Sequence, residues 1–226
     1  VSGAMAEERA RNHRTGAGRP EPLTSLARSK EMPDWREQAR LRLSKPEAPA
    51  AKAAEWFLDN SYLVQRATRL IQQDLPPAFY AQLPALEGPK GPGPPRIYAV
   101  ACGMLDVASL QLTPALIVRF LNAYQGVTPL DIAELWALPV LLRLCSLEEL
   151  TSALARLDPE LESPLARSAL APPSIADSLP GDTECVARLT RLLRVLSDIS
   201  WFELVGKTSV VERILDEDPA GIYPRM

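Results

Sequence analysis

The chain has 226 residues, 46% of them hydrophobic and 23% charged, with 25 Lys and Arg against 28 Asp and Glu and a formal charge of -3. That length can bury one core of ordinary size, and the slightly acidic balance offers no positive field to a phosphate backbone, so nucleic acid is excluded as the expected partner. The widely spaced Cys102, Cys145 and Cys185 fit neither a disulfide framework nor a zinc knuckle and read as core thiols of a reducing compartment.

Residues 1–48 alternate charge with Pro, Gly and Ser and carry few large apolar side chains apart from Leu23, Leu26, Trp35, Leu41 and Leu43. They read as a polar, poorly ordered lead-in with one short helix near 34–44. Residues 49–226 are expected to form a helical domain. From Ala50 to Leu75, Trp56, Phe57, Leu63, Val64, Ala67, Leu70 and Ile71 recur at helical spacing, and Pro76-Pro77 ends the run. A short helix around Phe79, Tyr80 and Leu83 follows, then a Gly- and Pro-rich loop near 87–95.

Ile97, Tyr98, Ala101, Met104, Leu105 and Ala108 keep the helical period, and Thr113-Pro114 and Thr128-Pro129 each pair a capping hydroxyl with a proline suited to the first helical position. The helix expected from Thr128 runs through Ile132, Leu135, Trp136, Val140, Leu142 and Leu144 with a kink at Pro139, before a capping-box restart at Ser146-Leu-Glu-Glu149. This is where the core's centre is expected. A linker near 171–183 precedes a seam of Val186, Leu189, Leu193 and Leu196, a short Trp201-to-Val205 helix capped by Ser200 and Glu203, and a last helix around Val210, Val211, Ile214 and Leu215. No segment shows a period-two alternation that requires a strand. The fold class is therefore all-α, an irregular orthogonal multi-helix bundle.

The one histidine, His13, falls in the lead-in, which excludes a Ser-His-Asp triad, a Cys-His pair or a histidine-based zinc site in the folded part. No glycine-rich phosphate motif is present, and no cofactor or metal is expected. Asp216-Glu217-Asp218 matches the Asp-x-Asp pattern that brackets a hard cation, but it ends a helix against Pro219 and reads as a solvated terminus. Glu148, Glu149, Glu160 and Glu162 read as caps and surface charges, leaving no acid-base pair for glycoside chemistry. Trp56, Trp136, Trp201, Tyr62, Tyr80, Tyr98 and Tyr124 read as core aromatics, with Tyr80 and Tyr124 the members expected at the surface, where a sugar ring would stack. No segment has the roughly 20 consecutive apolar residues of a membrane span. Both ends of the chain read as cuts within a longer protein.

Three passages carry a resemblance: Ala54-Glu-Trp-Phe-Leu-Asp-Asn60, the stretch from Phe120 to Ala137 that includes Asn122-Ala-Tyr-Gln125, and Ser209 to Met226. With Asp74 to Pro84 and Pro95-Arg-Ile-Tyr98 between them in order, they resemble the N-terminal cytosolic region of cyclic β-1,2-glucan synthases, from about residue 50 to the end. The resemblance implies a bacterial inner-membrane enzyme using UDP-glucose, with a glycosyltransferase domain, membrane helices and a phosphorylase-like domain downstream. It carries over no catalytic residue, because that family's Asp-x-Asp and Gln-x-x-Arg-Trp motifs lie beyond this chain. The expected role is a non-catalytic scaffold or regulatory domain on the cytoplasmic side, whose partner is the rest of the parent chain. The alternative is a free-standing helical interaction module. Asn122, Tyr124, Gln125, Glu134 and Trp136, where polar groups interrupt apolar helix faces, are the candidate interaction surface.

Overall fold

A computed structural model of the protein describes residues 2–45, 51–89, 91–165 and 181–209. Ten α-helices and a three-stranded sheet lie within them, in the order α1 Ser2–Asn12, β1 Thr15–Gly16, α2 Thr24–Arg28, α3 Met32–Leu43, α4 Ala51–Asp74, α5 Pro77–Tyr80, β2 Ala85–Gly88, β3 Gly91–Pro95, α6 Arg96–Val107, α7 Pro114–Gln125, α8 Ile132–Leu157, α9 Asp182–Asp198 and α10 Trp201–Thr208. The all-α class holds, with a small sheet added. The expected Val210-to-Leu215 helix and Asp216-Glu217-Asp218 lie outside the described residues, as does most of the 171–183 linker.

Helix α8 is the axis of the fold and packs on α4, α6 and α9. Between Glu134 and Thr151 every residue except Trp136 is buried, so its apolar residues are spread round the helix rather than along one stripe, with Glu134, Arg143, Glu148 and Glu149 buried among them. Pro139 supplies no N–H to the carbonyl one turn back, yet the helix continues through it. The expected restart at Ser146 does not occur: its hydroxyl donates to the Leu142 carbonyl at 2.7 Å, inside the helix. Glu148 and Glu149, expected as caps and surface charges, are consequently core residues at 1% and 3% exposure.

The start of α8 also differs from expectation. Thr128-Pro129 does not cap it; Asp131 does, in a capping box with Glu134. Thr128 is used elsewhere, its hydroxyl donating to the Ala10 carbonyl at 3.3 Å. At α7 the same Thr-Pro signal is correct, and Thr113 accepts the Leu116 N–H. Ser200 stands at the N-cap of α10 without a side-chain cap bond, and that helix runs on to Thr208.

The lead-in needs the largest correction. Helix α3 falls near the expected 34–44, but α1 and α2 precede it, and Ala6, Ala10, Leu23, Met32, Trp35, Ala39 and Leu43 all join the core. Helix α1 packs on α6 and α7 through small residues, with a Cβ on Gly3 placed 3.8 Å from that of Ala123. Polar ties complete the contact: Arg9 pairs with Asp106 at 2.5 Å, and His13 Nδ1 lies 3.0 Å from the Tyr124 hydroxyl. Burial, with Arg9 and Arg96 nearby, lowers the His13 pKa to about 4, so its ring is neutral at pH 7.

The loop expected at 87–95 is instead a β2–β3 hairpin, with β1 of the lead-in paired to β2, all antiparallel. Gly88 is required there because a Cβ would sit 2.7 Å from the Gly91 carbonyl oxygen, and Gly91 itself has φ +134°. The prolines of β3 are tolerated because, among the described residues, it is the last strand in the sheet order β1-β2-β3. The Glu21 N–H donates to the Gly93 carbonyl at 2.7 Å, and the Tyr80 hydroxyl donates to the Glu21 carbonyl at 2.5 Å.

Candidate interaction surface

The five residues singled out from the sequence separate into two layers. Tyr124 and Glu134 are 0% exposed and Gln125 9%, so they present no surface and act as struts. Glu134 holds Arg96 in a two-pronged contact, Nε to Oε1 at 2.9 Å and Nη2 to Oε2 at 2.5 Å. Arg96 also donates to the Pro129 carbonyl at 3.0 Å, and Glu134 accepts the Asp131 N–H at 2.9 Å, so the pair fixes the turn before α8. Burial works against the Arg96 charge, but bonding to Glu134 and that residue's negative charge outweigh it and raise the pKa. Gln125 donates to the Thr208 carbonyl at 2.8 Å and so ties α7 to the end of α10. Burial raises the Tyr124 pKa, keeping its phenol protonated against His13.

Asn122 and Trp136 face outward. Trp136, 44% exposed, sits one helical turn beyond Ile132, 47% exposed, and its ring lies 6.4 Å from that of Phe202 on α10, which is 78% exposed. Residues four apart share a helix face, so Ile132, Trp136 and Phe202 form one apolar patch. On the other flank of α10 a groove of about 740 Å³ opens towards α7 and α9, lined by Val118, Asn122, Ile199, Glu203, Leu204 and Lys207 among others. Ser200, Glu203, Leu204 and Lys207 in that lining follow the helical period, while Phe202 falls on the opposite flank. Helix α10 is thus a ridge between an apolar patch and a groove.

A buried cation underlies this ridge. Arg143 donates to the Pro139 carbonyl at 2.9 Å and to the Leu196 carbonyl at 2.8 Å, and its guanidinium lies 5.9 Å from the Trp201 ring centroid. Burial lowers its pKa to about 10, which leaves it charged at pH 7. Trp201 in turn donates from Nε1 to the Leu196 carbonyl at 3.1 Å. The junction between α9 and α10 is therefore bonded to α8.

The aromatic residues are distributed differently from expectation. Tyr80 and Tyr124, expected at the surface, are 7% and 0% exposed, whereas Tyr62 at 54% and Trp136 are the exposed members of the set. Tyr80 and Tyr124 border loops in sequence, but the N-terminal segment reaches both hydroxyls, through the Glu21 carbonyl and His13 Nδ1.

Side chains able to bind a metal meet inside the core, where Cys102, Cys145 and Glu148 bring two sulfurs and a carboxylate oxygen within 4.8 Å of one another. The Tyr98 hydroxyl donates to Glu148 Oε2 at 2.8 Å. Cysteines on helices far apart in sequence meet here, which spacing along the chain could not show.

No family model matches the chain. A stretch of 111 residues, 49% of the chain, is 35% identical to part of the cyclic beta-(1,2)-glucan synthase NdvB of Rhizobium meliloti (strain 1021). The chain is a partial homologue of that synthase. It spans only 4% of the synthase's length. Among the described residues no helix is long and apolar enough to cross a membrane.

Proposed function

We propose that this chain is a helical accessory region of a larger cyclic β-1,2-glucan synthase-like glycosyltransferase, and that it scaffolds the enzyme rather than transferring sugar itself. The observation that carries the reading is the 35% identity over 111 residues to a small part of a glucan synthase. The parent enzyme draws on UDP-glucose at the cytoplasmic side of the inner membrane, and its remaining domains are the partner. Two features support a docking role. Glu134 and Glu148, carboxylates that could serve acid-base chemistry, are engaged by Arg96 and Tyr98. The aromatic pair Trp136 and Phe202 stands at the surface, and large aromatic side chains are the usual anchors of interfaces.

The reading is tested in a synthase that carries this region by replacing Trp136 and Phe202 together with Ser. The expected result is a fall in β-1,2-glucan made from UDP-glucose, with the helical content of the isolated region unchanged. Undiminished synthesis would remove the docking role of this face. Transfer of glucose by the isolated chain would make the region catalytic and overturn the proposal.

A further inference from the structure

Cys102 on α6 and Cys145 on α8 are 43 positions apart, yet their sulfur atoms lie 2.7 Å from each other in a fully buried site. Nonbonded carbon atoms rest roughly 3.5–4.0 Å apart, and sulfur is larger. A disulfide holds its sulfurs at about 2.05 Å. A tetrahedral zinc ion bonded at about 2.3 Å to each sulfur would hold them roughly 3.8 Å apart. The pair therefore has to open to admit a metal and to close only slightly to form a bond. The donor set agrees: Cys102, Cys145 and Glu148 supply three ligand groups, whereas a closed structural zinc site takes four.

We propose that Cys102 and Cys145 are an oxidisable dithiol, a modification site at which a hydroperoxide closes an intrachain disulfide between α6 and α8. One sulfur, as thiolate, attacks the O–O bond of hydrogen peroxide and becomes a sulfenic acid; hydroxide leaves and takes up that thiol's proton as water. The second sulfur attacks the sulfenic sulfur, the S–S bond forms and the S–O bond breaks, and the departing hydroxide takes the second proton. Two thiols lose two electrons and the peroxide is reduced to two waters. The Glu148 carboxylate lies within 4.8 Å of both sulfurs. The segment enclosed by the bond contains α7 and the first half of α8, and so carries both Asn122 and Trp136. The third cysteine, Cys185, stands on α9, where burial pushes its thiol up to about 12.

The test uses the full chain, reduced and desalted, then treated with hydrogen peroxide, and in parallel refolded from urea with oxidised glutathione so that burial cannot block access. After denaturation and alkylation, mass spectrometry is expected to count one reactive thiol where the reduced chain has three, with Cys102 and Cys145 peptides joined and released by dithiothreitol. Cys185→Ser should keep the crosslink; Cys102→Ser and Cys145→Ser should each abolish it. Three alkylated thiols after both treatments, a crosslink through Cys185 or between two chains, or one equivalent of zinc bound to protein prepared without oxidant would overturn the proposal.

Discussion

The interior around α6, α8 and α9 and the outer flank of α10 distribute their residues in opposite ways. Inside, Arg96, Glu134, Arg143 and Glu148 are buried and engaged by named partners. Outside, Ile132, Trp136 and Phe202 stand in solvent. Buried charges that find partners fix which turn meets which helix, while exposed aromatic area contributes nothing to the folded chain that water does not oppose. The interior specifies the fold, and the flank is apolar surface that the fold leaves uncovered.

Breaking the interior should cost most. Glu134→Ala leaves Arg96 buried without its carboxylate and is expected to destabilise the chain by about 3–5 kcal/mol, read as a lower urea midpoint at constant slope. A loss no larger than that of an exposed pair would mean that water reaches Arg96. Acid should act next, through His13. Its pKa is about 4 in the folded chain against 6.5 for the unpaired side chain, so the unfolded chain binds the proton more readily. Stability is then complete above pH 6.5 and falls as the pH drops through 4. Allowing for partial exposure the loss is on the order of 2 kcal/mol, and His13→Gln should flatten that part of the pH profile. Thr113→Ala removes the α7 cap and should cost about 1 kcal/mol in the same unfolding assay. The smallest effect belongs to the flank: Trp136→Ser with Phe202→Ser should move stability by no more than about 0.5 kcal/mol. A large loss there would erase the contrast and make the aromatic pair part of the core.

How much of this was legible in the sequence depended on side-chain size and on distance along the chain. Helices α4, α6 and α9 were readable because Phe57, Ile97 and Leu189 belong to runs of large apolar residues at one period. Helix α1 was not, since its buried face is Ala6 and Ala10 and its remaining contacts are polar ties to residues about 100 positions away, 97 for Arg9 to Asp106 and 111 for His13 to Tyr124. The hairpin escaped because β2 is only four residues long and β3 is made of Gly and Pro alone, so neither has an alternation to detect. Thr128-Pro129 was a sound capping signal outcompeted by the Asp131 and Glu134 box three residues on. Within the candidate surface, Asn122 and Trp136 were placed from their own sequence, but Phe202, which completes the patch, comes from another helix and has no signal near Trp136. Tyr124, Gln125 and Glu134 were chosen as polar interruptions of apolar faces, and such interruptions mark buried hydrogen-bonding struts as readily as surfaces.

The proline-rich strand β3 has a consequence for the behaviour of the chain in a crowded cell. A sheet margin normally offers a row of donors on which another extended chain can grow. Along Gly91–Pro95 three of the five positions are proline and have no N–H to offer, and the Gly93 carbonyl is already occupied by Glu21. The β3 margin is thereby closed to strand addition, and on the opposite margin β1 is only two residues long, too short a template for another strand.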